Sequence, residues 1–464
     1  MSDELSRRSL LRLGTAGALG IAFAGSIEAI AGTVASAAPS TAAGYGPLVA
    51  DPAGLLALPA GFSYTIVAQA GKTLLETGQP TPSDADGTAN FPSHRGATLV
   101  NNHEIDGTEP YKVPALSGLV YDQGAGGGTT NIDVDQHGKR LREYVSLAGT
   151  HNNCAGGKTP WHTWLTCEET EQKATGAFTK NHGYVFEVDP FDQSANHNPV
   201  PLTFLGRYAH EAVAVDPRKH TLYLTEDANE PHGLFYRWTP PDGFRGGKGA
   251  LRSLATKSGG ATAGSLQAMT CFAGDKHIAD LSEATKPGVA YQVKWVDVPD
   301  RDAKTVSVRK QFTNDKVTRS RKLEGAWWDG DGAYFVASYA RKSDGSVLEH
   351  DGQVWFYHPR RETVTLKTIF GVNPSPTVDG AFDGPDNITV SPYGGVIVAE
   401  DGEGIQHLVG ITDGGVSFPL ARNDGTDSEF TGPNFSADGQ ILFANIQTPG
   451  YVFAITGPWG RGHH

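Results

Sequence analysis

Short apolar runs that each end in a polar cluster recur along the chain, and β-branched and aromatic residues dominate them. Such residues favour strands, while the Gly, Pro, Asn and Asp residues that precede most of the runs favour tight turns. A second strand of the same kind begins upstream of each turn, so the pattern predicts antiparallel strand pairs. Their polar-ended runs are Thr98–Glu104, Thr163–Glu169, Thr221–Asp227, Ala333–Tyr339, Gly395–Asp401 and Ile441–Gln447.

The strand pairs belong to a longer repeat. A third strand-like segment follows three of the pairs, at His182–Phe186, His232–Tyr236 and Asp351–Trp355. Fourth strands are predicted at residues 306–312 and 364–369. Units of four antiparallel strands in regular order are typical of a β-propeller. With copies that start near residues 86, 153, 211, 324, 387 and 434, the chain predicts an all-β fold, a six-bladed β-propeller. A pair of packed β-sandwiches is the alternative.

The copies are unevenly spaced. Glu211 and Glu324 lie about twice as far apart as most neighbouring copies, so we predict an insertion between the third and fourth inner strands, at about residues 245–300. A lone strand, Phe62–Ala68, precedes the first copy. We expect this strand to complete the last blade and to close the ring.

Residues 1–37 have the pattern of an export signal. Arg7 and Arg8 precede a Gly- and Ala-rich apolar stretch that ends in a small-x-small sequence at Ala37, which is typical of a twin-arginine signal. An ordinary secretory signal or a membrane anchor is the alternative, although Glu28 disfavours a stable spanning helix. We therefore expect the twin-arginine export machinery as a partner and a periplasmic, cell-surface or extracellular location. The mature chain, residues 38–464, is then a single propeller domain without an integral membrane span.

Composition and charge narrow the range of partners. The formal net charge is −13 and no basic tract stands out, which argues against a nucleic-acid partner. The chain has 58 Gly and 28 Pro among 464 residues, which suits many turns better than long helices. Its three cysteines, Cys154, Cys167 and Cys271, allow at most one disulfide and leave one thiol over.

Polar residues at the strand ends would converge in such a fold. The innermost strands of a propeller line its axial channel, so their first residues meet at one mouth of the channel. Carboxylates packed together there cannot all stay ionised without cations, and the sequence therefore predicts a site for several metal ions. The inner-strand candidates are Asn153, Cys154, Glu211, Glu324, Asn387 and Asn434, and an outer layer comprises Glu104, Glu168, Glu169, Asp227 and Asp401.

The ligand types indicate which metals the site would hold. Carboxylate and amide oxygens favour calcium, which accepts six to eight oxygen ligands. A thiol does not belong in a calcium shell, so Cys154 beside carboxylates points to a transition metal such as iron, with a buried free thiol as the alternative. We expect Cys167 to pack in the core and Cys271 to be structural.

The chain resembles the PhoX family of alkaline phosphatases in four stretches. They are the run from Asn153-Cys154-Ala155-Gly156-Gly157 to Cys167-Glu168-Glu169, and Asn101–Glu104, Gly206–Ala212 and Gly384–Asn387. The resemblance covers about residues 85–464. It implies a six-bladed propeller that is exported by the twin-arginine route and hydrolyses phosphate monoesters with calcium and ferric iron (Fe3+) in its axis. The iron ligands that it implies are Cys154, Glu211 and Glu324, and the calcium ligands are Glu104, Glu169, Asp386, Asn387, Asp401 and Asn434.

One position departs from the family pattern. The family has an arginine two residues before the glutamate of the fourth copy, and this chain has Lys322 before Glu324. In an extended strand these two side chains share a face, whereas Arg321 points to the other face. Lysine keeps the positive charge but not the bidentate fork. Lys322 is therefore our candidate catalytic residue, in contact with a small phosphate ester substrate.

Two other functions fit the same residues. One is a different metal-dependent propeller hydrolase, such as a lactonase or a phosphodiesterase, and the other is a non-catalytic propeller that binds a partner and uses calcium for stability. The fold alone does not decide between them. The thiol at the channel mouth favours a catalytic site, because a structural calcium site does not need it. We expect the protein to be a monomer.

Overall fold

The computed structural model describes residues 43–258, 263–346, 348–377 and 379–462, all of which belong to one compact unit of the chain. The segment that we interpret as a twin-arginine signal, residues 1–37, lies outside the described residues. No helix within the described ranges has the length and apolarity needed to cross a bilayer. The described chain has an all-β, propeller-like fold with few helices.

Short strands joined by turns make up most of the fold. The strands in chain order are β1 (Leu48–Val49), β2 (Leu56–Pro59), β3 (Ser63–Gln69), β4 (Ala85–Ser93), β5 (Gly96–His103), β6 (Gly127–Asp135), β7 (Arg140–Thr150), β8 (Asn153–Lys158), β9 (Trp164–Glu168), β10 (Val185–Val188), β11 (His210–Val215), β12 (Leu222–Glu226), β13 (Phe235–Thr239), β14 (Ser265–Ala273), β15 (Lys276–Ile278), β16 (Ala290–Asp297), β17 (Leu323–Asp329), β18 (Gly332–Ala337), β19 (Gly352–His358), β20 (Thr363–Phe370), β21 (Pro385–Val390), β22 (Val396–Glu400), β23 (His407–Ile411), β24 (Ser417–Asn423), β25 (Phe430–Phe435), β26 (Ile441–Ile446) and β27 (Tyr451–Thr456).

Helical segments are short. The α-helix among the described residues is α1 (Ala250–Ser258). The 3-10 helices are Gln193–Asn196, Thr203–Leu205, Leu281–Glu283, Val308–Gln311, Lys342–Asp344 and Trp459–Arg461. The sequence pattern predicted a strand at residues 306–312, and this prediction is wrong, because the segment contains the helix Val308–Gln311.

The strands form five sheets among the described residues. Two of these sheets have four strands, β4-β5-β6-β7 and β25-β26-β27-β3, and one has three, β10-β9-β8. A six-stranded sheet has the order β1-β2-β24-β23-β22-β21. The remaining sheet has ten strands in the order β11-β12-β13-β14-β16-β20-β19-β18-β17, with β15 paired to β14. It merges the predicted third and fourth units, because β16 pairs with both β14 and β20.

The segment predicted as an insertion contributes to that large sheet. Residues 245–300 contain α1 and strands β14, β15 and β16. Strand β14 pairs with β13 and is thus the outer strand of the third unit, while β16 forms the bridge to the fourth. Aromatic side chains fill the space between these units, and Phe235 stacks on Phe335 with ring centroids 4.4 Å apart.

The first strand of each predicted unit lies at the centre of the molecule. These inner strands, β4, β8, β11, β17, β21 and β25, contact one another in sequence, and β25 returns to β4. Strand β3 pairs with β27, so a segment from early in the chain completes the sheet built from its last strands. This pairing confirms the predicted closure by residues 62–68.

Candidate metal centre

Every inner strand carries the same irregularity near its start. Two residues of the inner strand oppose a single residue of its neighbour, which is a β-bulge, and a bulge bends a strand and redirects a side chain. The first bulge residues are Asp86 in β4, Cys154 in β8, Glu211 in β11, Glu324 in β17, Asp386 in β21 and Gly432 in β25. Because the six strands surround one axis, their bulges direct the side chains of the five residues other than Gly432 toward a common mouth.

Three groups of side chains at this mouth have the spacing of metal ligands. In each group, one ligand atom per residue lies within 4.8 Å of the others. The groups are Cys154 with Glu169 and Glu211, Glu211 with Glu324 and Asp386, and Asp386 with Asp401 and Glu429. Glu211 and Asp386 each belong to two groups, so the three form one continuous chain of ligands, with the thiol in the first.

A second layer of polar residues follows the neighbouring strands. The residue directly after the second strand of each unit occupies this layer, and the members are Glu104, Glu169, Asp227, Ser338, Asp401 and Gln447. Glu104 lies beside Asp86, since Gln447 Nε2 donates to both carboxylates, at 2.6 Å to Glu104 and 3.3 Å to Asp86. Asn152 Nδ2 also donates to Glu104, at 2.9 Å.

Burial and like charges make this cluster electrostatically unfavourable without cations. Burial raises the pKa of Asp86 to about 7, and the nearby charge of Glu169 adds to the rise. The pKa values of Glu104 and Glu211 lie well above the ordinary range, because both are buried and both face further carboxylates. Burial and the charge of Glu211 likewise raise the pKa of the Cys154 thiol. Bound cations would reverse these shifts and keep the ligands ionised.

The two predicted asparagine ligands differ in their surroundings. Asn387 is the second bulge residue of β21, and its Nδ2 donates to Asp386 Oδ1 at 2.9 Å while its Oδ1 accepts from the Gly432 N–H. Asn434 lies two residues beyond the bulge position of β25. Its Oδ1 accepts from the backbone N–H and the side-chain amide of Asn90, so Asn434 ties β25 to β4.

Lys322 lies at the edge of the carboxylate cluster. Its Nζ donates to Asp227 and stands 3.5 Å from Glu324 Oε1. Its backbone has a φ of 50°, in the left-handed region that residues other than glycine rarely adopt. Lys322 therefore reaches Glu324 through this turn and the bulge, and not through the simple strand alternation that we expected. Arg321 is directed elsewhere, since it pairs with Asp280 and donates to the Asp344 carbonyl.

The three cysteines are buried and free. Cys154 Sγ lies 3.3 Å from the His210 carbonyl oxygen and 3.5 Å from that of Glu211. Cys167 and Cys271 pack within apolar clusters of the core. Cys154 belongs to the same cluster as Cys167, and it is the cysteine whose thiol also joins the carboxylate groups.

Sequence reasoning missed two acidic members of the site. Asp86 occupies the bulge of β4, and the sequence contained a signal for it, because the first, weaker copy of the repeat starts there. Glu429 joins Asp386 and Asp401 from the residue before β25. It lies outside every recurring phrase, so the repeat pattern gave no indication of it.

Buried ion pairs support two of the second-layer carboxylates. Glu168, next to Glu169, accepts from His182 Nδ1 at 2.6 Å, and Glu400, next to Asp401, is paired with His407 Nδ1 at 2.7 Å. His182 lies shortly before β10, and His407 is the first residue of β23, so each histidine comes from the start of the third strand of its unit. These pairs fix the ends of β9 and β22, from which the second-layer carboxylates project.

Comparisons with known proteins identify the family and the fold. The family model for alkaline phosphatase PhoX matches residues 43–450. Pseudomonas fluorescens PhoX, solved in complex with vanadate, a transition state analogue, is similar over 91% of this chain and 100% of its own, with 19% identity and a TM-score of 0.68. A gluconolactonase from Xanthomonas campestris is more distant, with 14% identity, 89% and 98% coverage and a TM-score of 0.44. No curated protein matches the chain.

Proposed function

We propose that this chain hydrolyses phosphate monoesters with calcium and iron held at the mouth of its central channel. The chain belongs to the alkaline phosphatase PhoX family and is therefore a metal-dependent phosphatase. The observation that carries the proposal is the continuous chain of three ligand groups, which has carboxylates throughout and one thiol in its first group. Carboxylate oxygens suit calcium, and the Cys154 thiol with Glu211 suits iron.

The donor set fits such ions. Asp86 Oδ1 is buried and accepts no hydrogen bond from any described residue, which is costly for a carboxylate unless a cation compensates it. Cys154, Glu211 and Glu324 would hold iron. The calcium ligands would be Glu104, Glu169, Asp386, Asn387, Asp401 and Asn434, with Glu429 as a further ligand. When bound, the metals neutralise phosphate charge and make a water molecule far more acidic.

The residues of the chain then position the substrate. Lys322 projects its ammonium beside Glu324 and Asp227, where it can contact a phosphate oxygen of the ester. A preorganised cation at this place stabilises negative charge that develops in the transition state. The vanadate complex of the similar Pseudomonas protein supports the hydrolysis of phosphate esters by this fold, because vanadate there is a transition state analogue.

We interpret the ten-stranded sheet as two blades joined by β16, which gives a six-bladed propeller. Each half supplies one inner strand, β11 or β17, to the closed cycle of six. The twin-arginine pattern before residue 38 supports export of the folded enzyme, and the residues from 38 onward would then form a single domain that acts as a monomer.

Metal analysis and absorption spectroscopy test the proposal. We expect calcium and iron in the purified protein, with a visible charge-transfer band from ferric iron bound to Cys154. Cys154→Ala should abolish the band, and Cys271→Ala, a matched change of a buried thiol away from the site, should preserve it. An active protein without iron or without the band would refute the iron assignment.

A substrate panel tests the reaction itself. We expect turnover of phosphate monoesters that vanadate inhibits. Preferential turnover of phosphodiesters or lactones, with monoesters inert, would show that the same metal site serves a different hydrolase.

A further inference from the structure

A cavity lies at the end of the inner strands opposite the metal centre. It has a volume of about 260 Å³ and is bounded by the ends of β8, β11 and β17. Cys154 and Lys158 stand near opposite ends of β8, four residues apart, and a strand rises about 3.3 Å per residue, so roughly 13 Å separates this cavity from the metal centre. We call it the basal pocket, and its lining includes Lys158, Pro160, Val215, Pro217, Trp327 and Trp328.

The basal pocket is separated from the metal centre. The channel between them is lined by small residues such as Gly87, Ala155 and Gly325, and its free volume is only about 20 Å³. Trp327 borders both this constriction and the basal pocket. The space in this constriction accommodates about one water molecule.

Lys158 supplies a cation that the described protein does not neutralise. Its Nζ donates to the Asn90 carbonyl at 2.7 Å and lies 5.1 Å from the centre of the Phe91 ring. No carboxylate among the described residues forms an ion pair with it, and burial lowers its pKa to about 8. An ammonium group withdrawn from water without a counter-ion is unfavourable, and a bound anion would compensate it.

The walls of the basal pocket are largely apolar and aromatic. Trp327 and Trp328 both contribute to the lining, with Pro160 and Pro217 among the other lining residues. Trp328 stacks against Tyr223, with an angle of 16° between the rings, and its indole Nε1 is buried without a hydrogen-bond partner in the described protein. The pocket thus combines flat apolar surfaces with one cation.

We propose that the basal pocket binds a small aromatic carboxylate, with its carboxylate at Lys158 and its ring against Trp327 and Trp328. A monoanion matches the single cation, whereas a dianionic phosphate ester would leave one charge uncompensated. The volume accommodates one or two fused rings. The site is a binding site for a class of ligand that differs from the phosphate substrate.

Calorimetric titration of the metal-loaded enzyme with 2-naphthoate tests this proposal, with saturating inorganic phosphate present to occupy the metal centre. We expect one naphthoate per chain, and at least tenfold weaker binding in Lys158→Met. The neutral analogue 2-naphthamide should bind the parent and Lys158→Met equally. Lys276→Met, which changes an exposed lysine paired with Glu283, should bind naphthoate like the parent.

A second variant keeps the test informative if Lys158→Met does not fold. Trp328→Leu removes an aromatic wall, and we expect it to weaken naphthoate and naphthamide alike while phosphatase turnover stays unchanged. The proposal is overturned if the parent binds no naphthoate, if phosphate displaces the bound naphthoate, or if Lys158→Met or Trp328→Leu binds it as tightly as the parent does.

Discussion

Lys322 combines an ion pair with a strained backbone. Substitutions at this one position can separate the effect of the charge from the effect of the strain. Its φ of 50° costs a residue with a side chain about 1 kcal/mol relative to glycine. The equivalent residue before β21 is Gly384, with a φ of 47°. Lys322→Ala and Lys322→Gly both remove the ammonium, but only the glycine relieves the strain. We expect the glycine variant to be more stable than the alanine variant by about 1 kcal/mol.

Turnover should follow the charge and not the strain. Loss of one preorganised cation from a phosphoryl site removes roughly 2 to 4 kcal/mol of transition-state stabilisation, by analogy with the loss of one oxyanion donor. This loss corresponds to a decrease in kcat on the order of a hundredfold. Lys322→Ala and Lys322→Gly should therefore lose turnover equally, while Lys322→Arg should preserve or raise it.

The assay is the steady-state hydrolysis of p-nitrophenyl phosphate at equal metal loading, with unfolding followed in parallel. Arg321→Ala serves as the matched control, because Arg321 pairs with Asp280 away from the cluster. It should lower stability and leave kcat near the parent value. If Lys322→Gly restores the turnover that Lys322→Ala loses, backbone strain and not charge explains the role of Lys322, and the proposed phosphate contact is wrong.

Three further predictions concern metals, an additional ligand and pH. A calcium chelator should lower the melting temperature and abolish activity, with recovery on readdition of calcium, because the clustered carboxylates repel one another without cations; unchanged melting would refute the metal centre. Glu429→Gln should reduce measured calcium content and lower activity about tenfold, an effect that excess calcium reverses, whereas Glu349→Gln on a surface loop should change neither. Burial alone would lower the pKa of His407, but hydrogen bonds with Asp379 and Glu400 raise it to about 9. The stabilisation that protonated His407 contributes through these bonds is complete below the pKa of the unfolded state, about 6.5, and is lost as the pH rises through 9. His407→Gln should therefore lower the melting temperature more at pH 6 than at pH 10. An equal loss at both pH values would contradict this charge state.

Much of the strand order was predictable because strand formation and turn chemistry are local. Short apolar runs and their turns predicted the paired strands, and the run at residues 62–68 predicted the closure by β3. The bridge made by β16 was not predictable in this way. It depends on the distance between β14 and β20 after folding, which no local pattern encodes.

The candidate site was predictable in its residue types more than in its register. The repeat aligned Asn434 with Glu211, yet Gly432 is the bulge residue of β25. A bulge is defined by the pairing of two strands, so the sequence of one strand does not reveal its position. Glu429 reaches the cluster through tertiary placement alone, and the left-handed turn at Lys322 is equally invisible in a strand pattern.

The pairing of β3 with β27 has a consequence for how the protein is made. Ser63 and Thr456, whose hydroxyl groups lie 3.2 Å apart, are separated by 393 positions along the chain. The sheet that contains them therefore stays open while the ribosome synthesises everything in between, and its unpaired strand edges remain free to associate with other chains. A polypeptide that ends before residue 451 lacks β27 and leaves this sheet open.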